Sequence, residues 1–195
     1  MSNSVAIETR GNALIIRFTR PEIRNPLSLE VLESLDRIID DVSKSNCLQK
    51  VLFTGAGNSF ASGADLREIA DVTPETAKEF SLRGQRLMNK IADVPNATIA
   101  AINGFCFGGA LDLALACKER IASPTATFAH PGAGLGIITG WGGTQRLPRL
   151  IGRANAQEMF FTAAPVTAAD ALRTGLIDSI AADPLAKALG LVRFD

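Results

Sequence analysis

Apolar and polar residues follow one another along this chain in two rhythms, one of a strand and one of a helix. Val5–Thr9 and Ala13–Thr19 are β-rich runs joined at Gly11-Asn12, which predicts a hairpin. Arg20-Pro21 closes the second run. Ser28 stands where a helix N-cap belongs. From there to Lys44, Val31, Leu32, Leu35, Ile38, Ile39 and Val42 share one helical face. Val51–Thr54 has the pattern of a short buried strand, and a Gly/Ser-rich loop follows from Gly55 to Gly63. Pro74–Asp93 predicts a second long helix with Phe80, Leu87, Met88 and Ile91 inward. Ala97–Ile102 reads as a strand, Gly104–Gly109 as a tight turn and Ala110–Cys117 as a helix. Strands at Arg120–Ser123 and Thr127–Ala129 come next. Helices near Thr144–Ile151 and Ala154–Phe161 precede a last strand in Leu176–Ile180. Strands alternating with helices predict an α/β protein with mostly parallel pairing.

Composition narrows the classes of function. The chain has 195 residues, 47% apolar and 21% charged, the balance of one soluble globular domain with no repeat or linker. Lys and Arg total 20, and so do Asp and Glu, so no basic excess points to nucleic acid. Ala97–Cys117 is apolar enough to raise a membrane question. Asn103 and Asp112 interrupt it, which favours a buried strand running into a buried helix. The first residues carry no apolar stretch of signal-peptide length. The three cysteines, Cys47, Cys106 and Cys117, have no paired spacing, so a disulfide framework is not expected and a reducing, cytoplasmic setting is. His130 is the single histidine and no Cys-x-x-Cys exists, so no metal site is expected. Trp141 stands alone and tyrosine is absent, which leaves little for stacking bases.

Two glycine-rich loops each follow a buried strand, Phe53–Leu66 and Ile102–Leu113. Their small residues let a backbone approach a ligand. The second runs straight into a helix, whose first N–H groups have no partner within it and can hold a developing negative oxygen. The glycines could equally serve sharp turns alone. Neither a P-loop nor a dinucleotide-binding glycine motif is present. Gly104-Phe-Cys106-Phe-Gly108 also fits a nucleophile elbow, with His130 as base. The acid would then be Asp112 or Glu119, neither well separated from the cysteine along the chain. The other reading of Cys106 is a small buried apolar residue.

Four motifs in order carry a resemblance. They are Arg20-Pro-Glu-Ile-Arg-Asn-Pro-Leu27, Phe60-Ala-Ser-Gly-Ala-Asp-Leu66, Asn103-Gly-Phe-Cys-Phe-Gly-Gly-Ala-Leu-Asp-Leu113 and Gly140-Trp-Gly-Gly-Thr-Gln-Arg-Leu147. Together they resemble the crotonase superfamily, the enoyl-CoA hydratase/isomerase family, from about Val5 to Ile180. The resemblance implies a ClpP/crotonase-like spiral of repeated β-β-α units with two roughly perpendicular sheets. It implies acyl-CoA thioesters as substrates, in fatty acid metabolism, with no cofactor beyond the substrate's own CoA. It also implies an oxyanion hole built from the backbone N–H groups of Ser62 and Gly109, with Gly108, Gly132 and Trp141 at the substrate. The backbone around Gly63, Ala64, Asp65 and Leu66 would meet CoA. Arg24, or less well Arg20, would meet its phosphates.

The sequence also departs from the family. Hydratases of this family use two glutamates on one water. The first falls at Asp112, a shorter acid, and the second at Gly132, which has none. Proton transfer by one carboxylate is then expected to outrun hydration. His130, two residues before Gly132, is a weak substitute for the missing acid. Asp112 could alternatively serve only the dipole of its helix. The expected organisation is an acyl-CoA-binding core over 1–182 and a short C-terminal remnant over 183–195, in place of a helical trimerisation region. The expected assembly is a homo-oligomer, a weakened trimer. Two readings follow: an enzyme that makes a thioester enolate, or a catalytically weak CoA-binding or interaction protein on the same fold. Thioester hydrolysis and decarboxylation would use the same oxyanion hole.

Overall fold

The structure is a computed structural model that describes residues 4–45 and 47–191. Its opening hairpin pairs β1 (Val5–Arg10) with β2 (Ala13–Phe18) in antiparallel register, Arg10 opposite Ala13. Helix α1 (Leu29–Lys44) follows; the Ser28 hydroxyl accepts from the Val31 N–H at 3.5 Å, as the capping position requires. The chain then winds in units of two strands and a helix. The first unit is β3 (Lys50–Gly55), β4 (Ser59–Ala61), α2 (Leu66–Ala70) and α3 (Pro74–Asp93). Next come β5 (Ala97–Ile102), β6 (Phe105–Phe107) and α4 (Gly109–Ala116). A third unit has β7 (Glu119–Ala122), β8 (Thr127–Ala129), α5 (Gly143–Ile151) and α6 (Arg153–Thr162). The described chain closes with β9 (Val166–Thr167), α7 (Ala168–Thr174), β10 (Ser179–Ile180) and α8 (Pro184–Leu189).

Each unit sends its first strand to one sheet and its second to another. The larger sheet has six strands in the order β1-β2-β3-β5-β7-β10, and the smaller has four in the order β4-β6-β8-β9. Pairing is parallel through β2-β3-β5-β7-β10 and through β4-β6-β8. This is the expected spiral, with one difference. The Gly55–Gly63 loop and the Gly104–Gly109 turn each contain a strand of the smaller sheet, β4 and β6. At three residues each, these strands are too short for a period to show.

Burial follows the strand alternation. Leu14, Ile16 and Phe18 of β2 face the main core with α1 and α3, while Ala13 and Ile15 face the other side with Leu52, Ile99 and Ile121. That second face is covered by α8, whose Ala188 is buried and accepts from Lys50 Nζ at 3.0 Å. Within 183–195, α8 therefore packs against the large sheet; residues 192–195 lie outside the described residues. Phe18 and Phe60 meet edge to face at 5.7 Å and tie the two sheets together. Both are fully buried, worth about 2–3 kcal/mol each in transfer alone. No described helix is long and apolar enough to cross a membrane.

Candidate active site

The parallel register of the smaller sheet brings three chain segments to one place. Strands β4, β6 and β8 run side by side and end at Ala61, Phe107 and Ala129. The next residues are Ser62, Gly108 and His130, so all three emerge at the C-terminal edge of adjacent strands. Ligands of open parallel sheets gather at that edge. The Gly108 N–H donates to Ala129 O at 2.8 Å, which fixes the second loop against the third.

Glycine is required where these loops meet. Gly63 has φ +87, and a Cβ on it would lie 2.7 Å from Phe107 O and 2.8 Å from Gly109 N. Gly108 combines φ 55 with ψ −124, a conformation open to glycine alone. Gly109 opens α4, so its N–H has no intrahelical partner and sits at the positive end of the helix dipole.

A cavity of about 300 Å³ opens here. Ser62, Gly108, Gly109, His130, Gly132 and Trp141 line it, and so do Ala64 and Leu66. Gly63 is not among the lining residues; it lets the first loop pass close to Phe107 and Gly109. Asp65 does not line the cavity; it caps α2 and pairs with Arg67 at 2.7 Å, which holds its carboxyl below the usual range. Arg24 is exposed, has φ 62 and stands 5.1 Å over the Phe105 ring, away from the cavity wall. The apolar wall comes from residues that no motif marked, among them Ile69 after the first loop, Phe80 on α3, and Leu135, Ile137 and Ile138 before α5. A larger open groove of about 540 Å³ between α1 and α3 holds none of these groups.

No carboxylate lines the cavity among the described residues. Asp112 lies one layer behind, fully buried on the first turn of α4. Its Oδ2 accepts from the Thr139 hydroxyl and, at 3.2 Å, from the Trp141 N–H. Its Oδ1 has no well-formed partner; His130 Nε2 is 3.7 Å away. A Cβ on Gly143 would come within 2.1 Å of that oxygen, so only glycine leaves the carboxylate its place. Burial raises the Asp112 carboxyl to about 6, against the pull of Thr139, the Trp141 and Gly143 amides and the Arg146 charge. Burial lowers His130 to about 4, and neither ring nitrogen has a partner. Near neutrality the pair is therefore a carboxylate beside a neutral imidazole, not an ion pair.

Gly132 has no room for a side chain. A Cβ there would lie 2.5 Å from Ile137 O, in a turn closed by the Ile137 N–H on Gly132 O at 3.0 Å. The nucleophile-elbow reading fails on geometry. Cys106 sits inside β6, fully buried, and burial pushes its thiol well above the usual value, whereas an elbow nucleophile stands exposed at a turn. Thr139 escaped the sequence reading. The signal was a hydroxyl between Ile137-Ile138 and Gly140-Trp141, where every neighbour is apolar or glycine.

Comparison with known proteins agrees with this geometry. The family model for enoyl-CoA hydratase/isomerase matches residues 8–188. A short-chain-enoyl-CoA hydratase of Clostridium acetobutylicum is 36% identical over 179 residues, 91% of this chain and 69% of the relative. A crotonyl-CoA hydratase of Syntrophomonas wolfei is 34% identical over 178 residues, covering 91% and 68%. Among solved structures, DspI of Pseudomonas aeruginosa superposes with a TM-score of 0.92 at 33% identity, over 97% of this chain and 79% of that one. An enoyl-CoA hydratase of Bacillus anthracis also gives 0.92, at 34% identity over 97% and 75%. Ordered motifs, a two-sheet spiral of crotonase type and these relatives agree: the chain belongs to the enoyl-CoA hydratase/isomerase family.

Proposed function

We propose that this chain acts on acyl-CoA thioesters by drawing the thioester into an enolate. The observation that carries the reading is the meeting of Ser62, Gly109 and His130 on one mainly apolar cavity. The Ser62 and Gly109 N–H groups bind the thioester oxygen, and both bonds strengthen as that oxygen gains charge. A donor of this kind is worth roughly 3–4 kcal/mol in the transition state. The acyl chain lies along Ile69, Phe80 and Leu135. The backbone of residues 63–66 and the exposed Arg24 receive CoA, which enters as part of the substrate; no other cofactor is required. The names of the two relatives support enoyl thioesters as the substrate class.

Asp112 supplies the acid–base chemistry. The proton of the carbon beside the thioester ends on its carboxylate, and the C–H electron pair becomes the enolate. Returning the proton two carbons further along shifts a double bond. Adding water needs a second acid on the same water, and Gly132 offers none. Isomerisation and exchange therefore outrun hydration. His130 is uncharged near neutrality and serves at most as a hydrogen-bond partner. Exposed Phe161 and Leu172 on α6 and α7 support a homo-oligomer, and the free cysteines support a reducing, cytoplasmic setting.

A panel of acyl-CoA thioesters in heavy water, read by mass spectrometry, tests the reading. Deuterium enters the substrate with the native chain. Asp112→Asn loses roughly 100-fold or more of that rate, the range of general acid–base catalysis, while CoA binding by calorimetry stays within about 3-fold. Tight binding with no turnover on any thioester would make the chain a CoA-binding protein instead.

A further inference from the structure

Asp112 has the chemistry of a base but no contact with the cavity. It is fully buried, and the lining residues stop at Thr139, Trp141 and His130. One of these connects it to the cavity by a polar hydrogen. Thr139 lines the cavity, and its hydroxyl donates to Asp112 Oδ2. The Trp141 N–H also reaches Oδ2, but a backbone amide cannot pass its proton on. His130 Nε2, at 3.7 Å from Oδ1, is outside hydrogen-bond range.

We propose that Thr139 is a catalytic residue, whose hydroxyl touches the substrate and carries the proton between its α-carbon and Asp112. This rests on the enolate reading above. In the forward step the α C–H bond breaks and its proton joins Thr139 Oγ1. In the same step the hydroxyl's own hydrogen passes to Asp112 Oδ2, and the C–H electron pair becomes the enolate on the oxygen held by Ser62 and Gly109. The reverse transfer delivers a proton to the α- or the γ-carbon. Threonine remains a neutral alcohol before and after, and no further reactant enters.

The test compares Thr139→Val, which keeps the shape and removes the hydroxyl, with Thr139→Ser, which keeps the hydroxyl. Each is assayed for deuterium entry into butyryl-CoA and for turnover of crotonyl-CoA, from pH 6 to pH 9. Thr139→Val should lose about 100-fold in kcat at every pH with little change in KM, and Thr139→Ser should stay within about 10-fold of the native rate. The pH range separates relay from tuning. If the hydroxyl only stabilised the Asp112 carboxylate, Thr139→Val would recover at pH 9, where Asp112 is ionised regardless, and the proposal would be overturned. A native-like Thr139→Val rate would overturn it too and leave the enolate reading standing. Native hydration without exchange would end the enolate reading, and the same variant pair on crotonyl-CoA would still decide the role of Thr139. Absence of both activities from the native chain would end both.

Discussion

At the scale of single residues, two buried groups work against each other. Burial holds Asp112 at about 6 against an ordinary 3.8, so between pH 4 and 6 the folded chain keeps a proton that the unfolded chain has lost. That contribution is full below pH 3.8 and is lost as pH rises to about 6. His130 is held at about 4 against 6.5, so there the unfolded chain binds the extra proton and stability rises with pH. Each displacement is worth roughly 3 kcal/mol at most, with opposite sign. The native chain should therefore show a nearly flat contribution from this pair between pH 4 and 6.5. Asp112→Asn should leave stability rising with pH over that range, and His130→Gln should leave it falling. Urea midpoints across the range check both slopes. A second pair of changes isolates the backbone donors. Ser62→Ala keeps its amide and should leave kcat within about 2-fold. Replacing Gly109 by glycolic acid, an ester in place of the amide, removes one N–H and adds no atom. It should cost roughly 100-fold or more in kcat. A proline at 109 would serve less well, since a Cβ there would lie 2.4 Å from the Trp141 ring. A large loss in Ser62→Ala would instead point to a working hydroxyl.

At the scale of elements, the long pieces were legible and the short ones were not. Pro74–Asp93 carries enough turns for its apolar stripe and its leading proline to set both ends, and the helix runs over those residues. The β4 and β6 strands carry three residues each, so neither alternation nor length could identify them. They are defined by partners far along the chain, Ser59 beside Phe105 and Cys106 beside Phe128. The same gap in local information hid the site's depth. The motifs pointed to Asp112 and the two loops, but Thr139 standing between Asp112 and the cavity follows only from how α4 and the loop before α5 pack. Placement of Cys106 within β6 has a direct consequence. Iodoacetamide on the native chain should label exposed Cys47 and spare Cys106 and Cys117, and Cys106→Ala should keep its turnover. Peptide mapping by mass spectrometry reads the labelling. Rapid inactivation with label on Cys106 would restore the nucleophile reading.

At the scale of the whole molecule, the spiral is what creates the site. Each turn of the chain lays one strand in each sheet, so three successive turns deliver Ser62, Gly108 and His130 to neighbouring positions although they are far apart in sequence. The family resemblance was visible because those deliveries need glycine at fixed points. The reaction was not, because it depends on which acids face the cavity. The central claim is that the assembled site makes a thioester enolate with one effective carboxylate. The most direct measurement places the native chain in heavy water with butyryl-CoA and, separately, with crotonyl-CoA, and follows deuterium entry and water addition under the same conditions. The account predicts deuterium at the α-carbon of butyryl-CoA faster than crotonyl-CoA is hydrated. Rapid hydration with no exchange would contradict it.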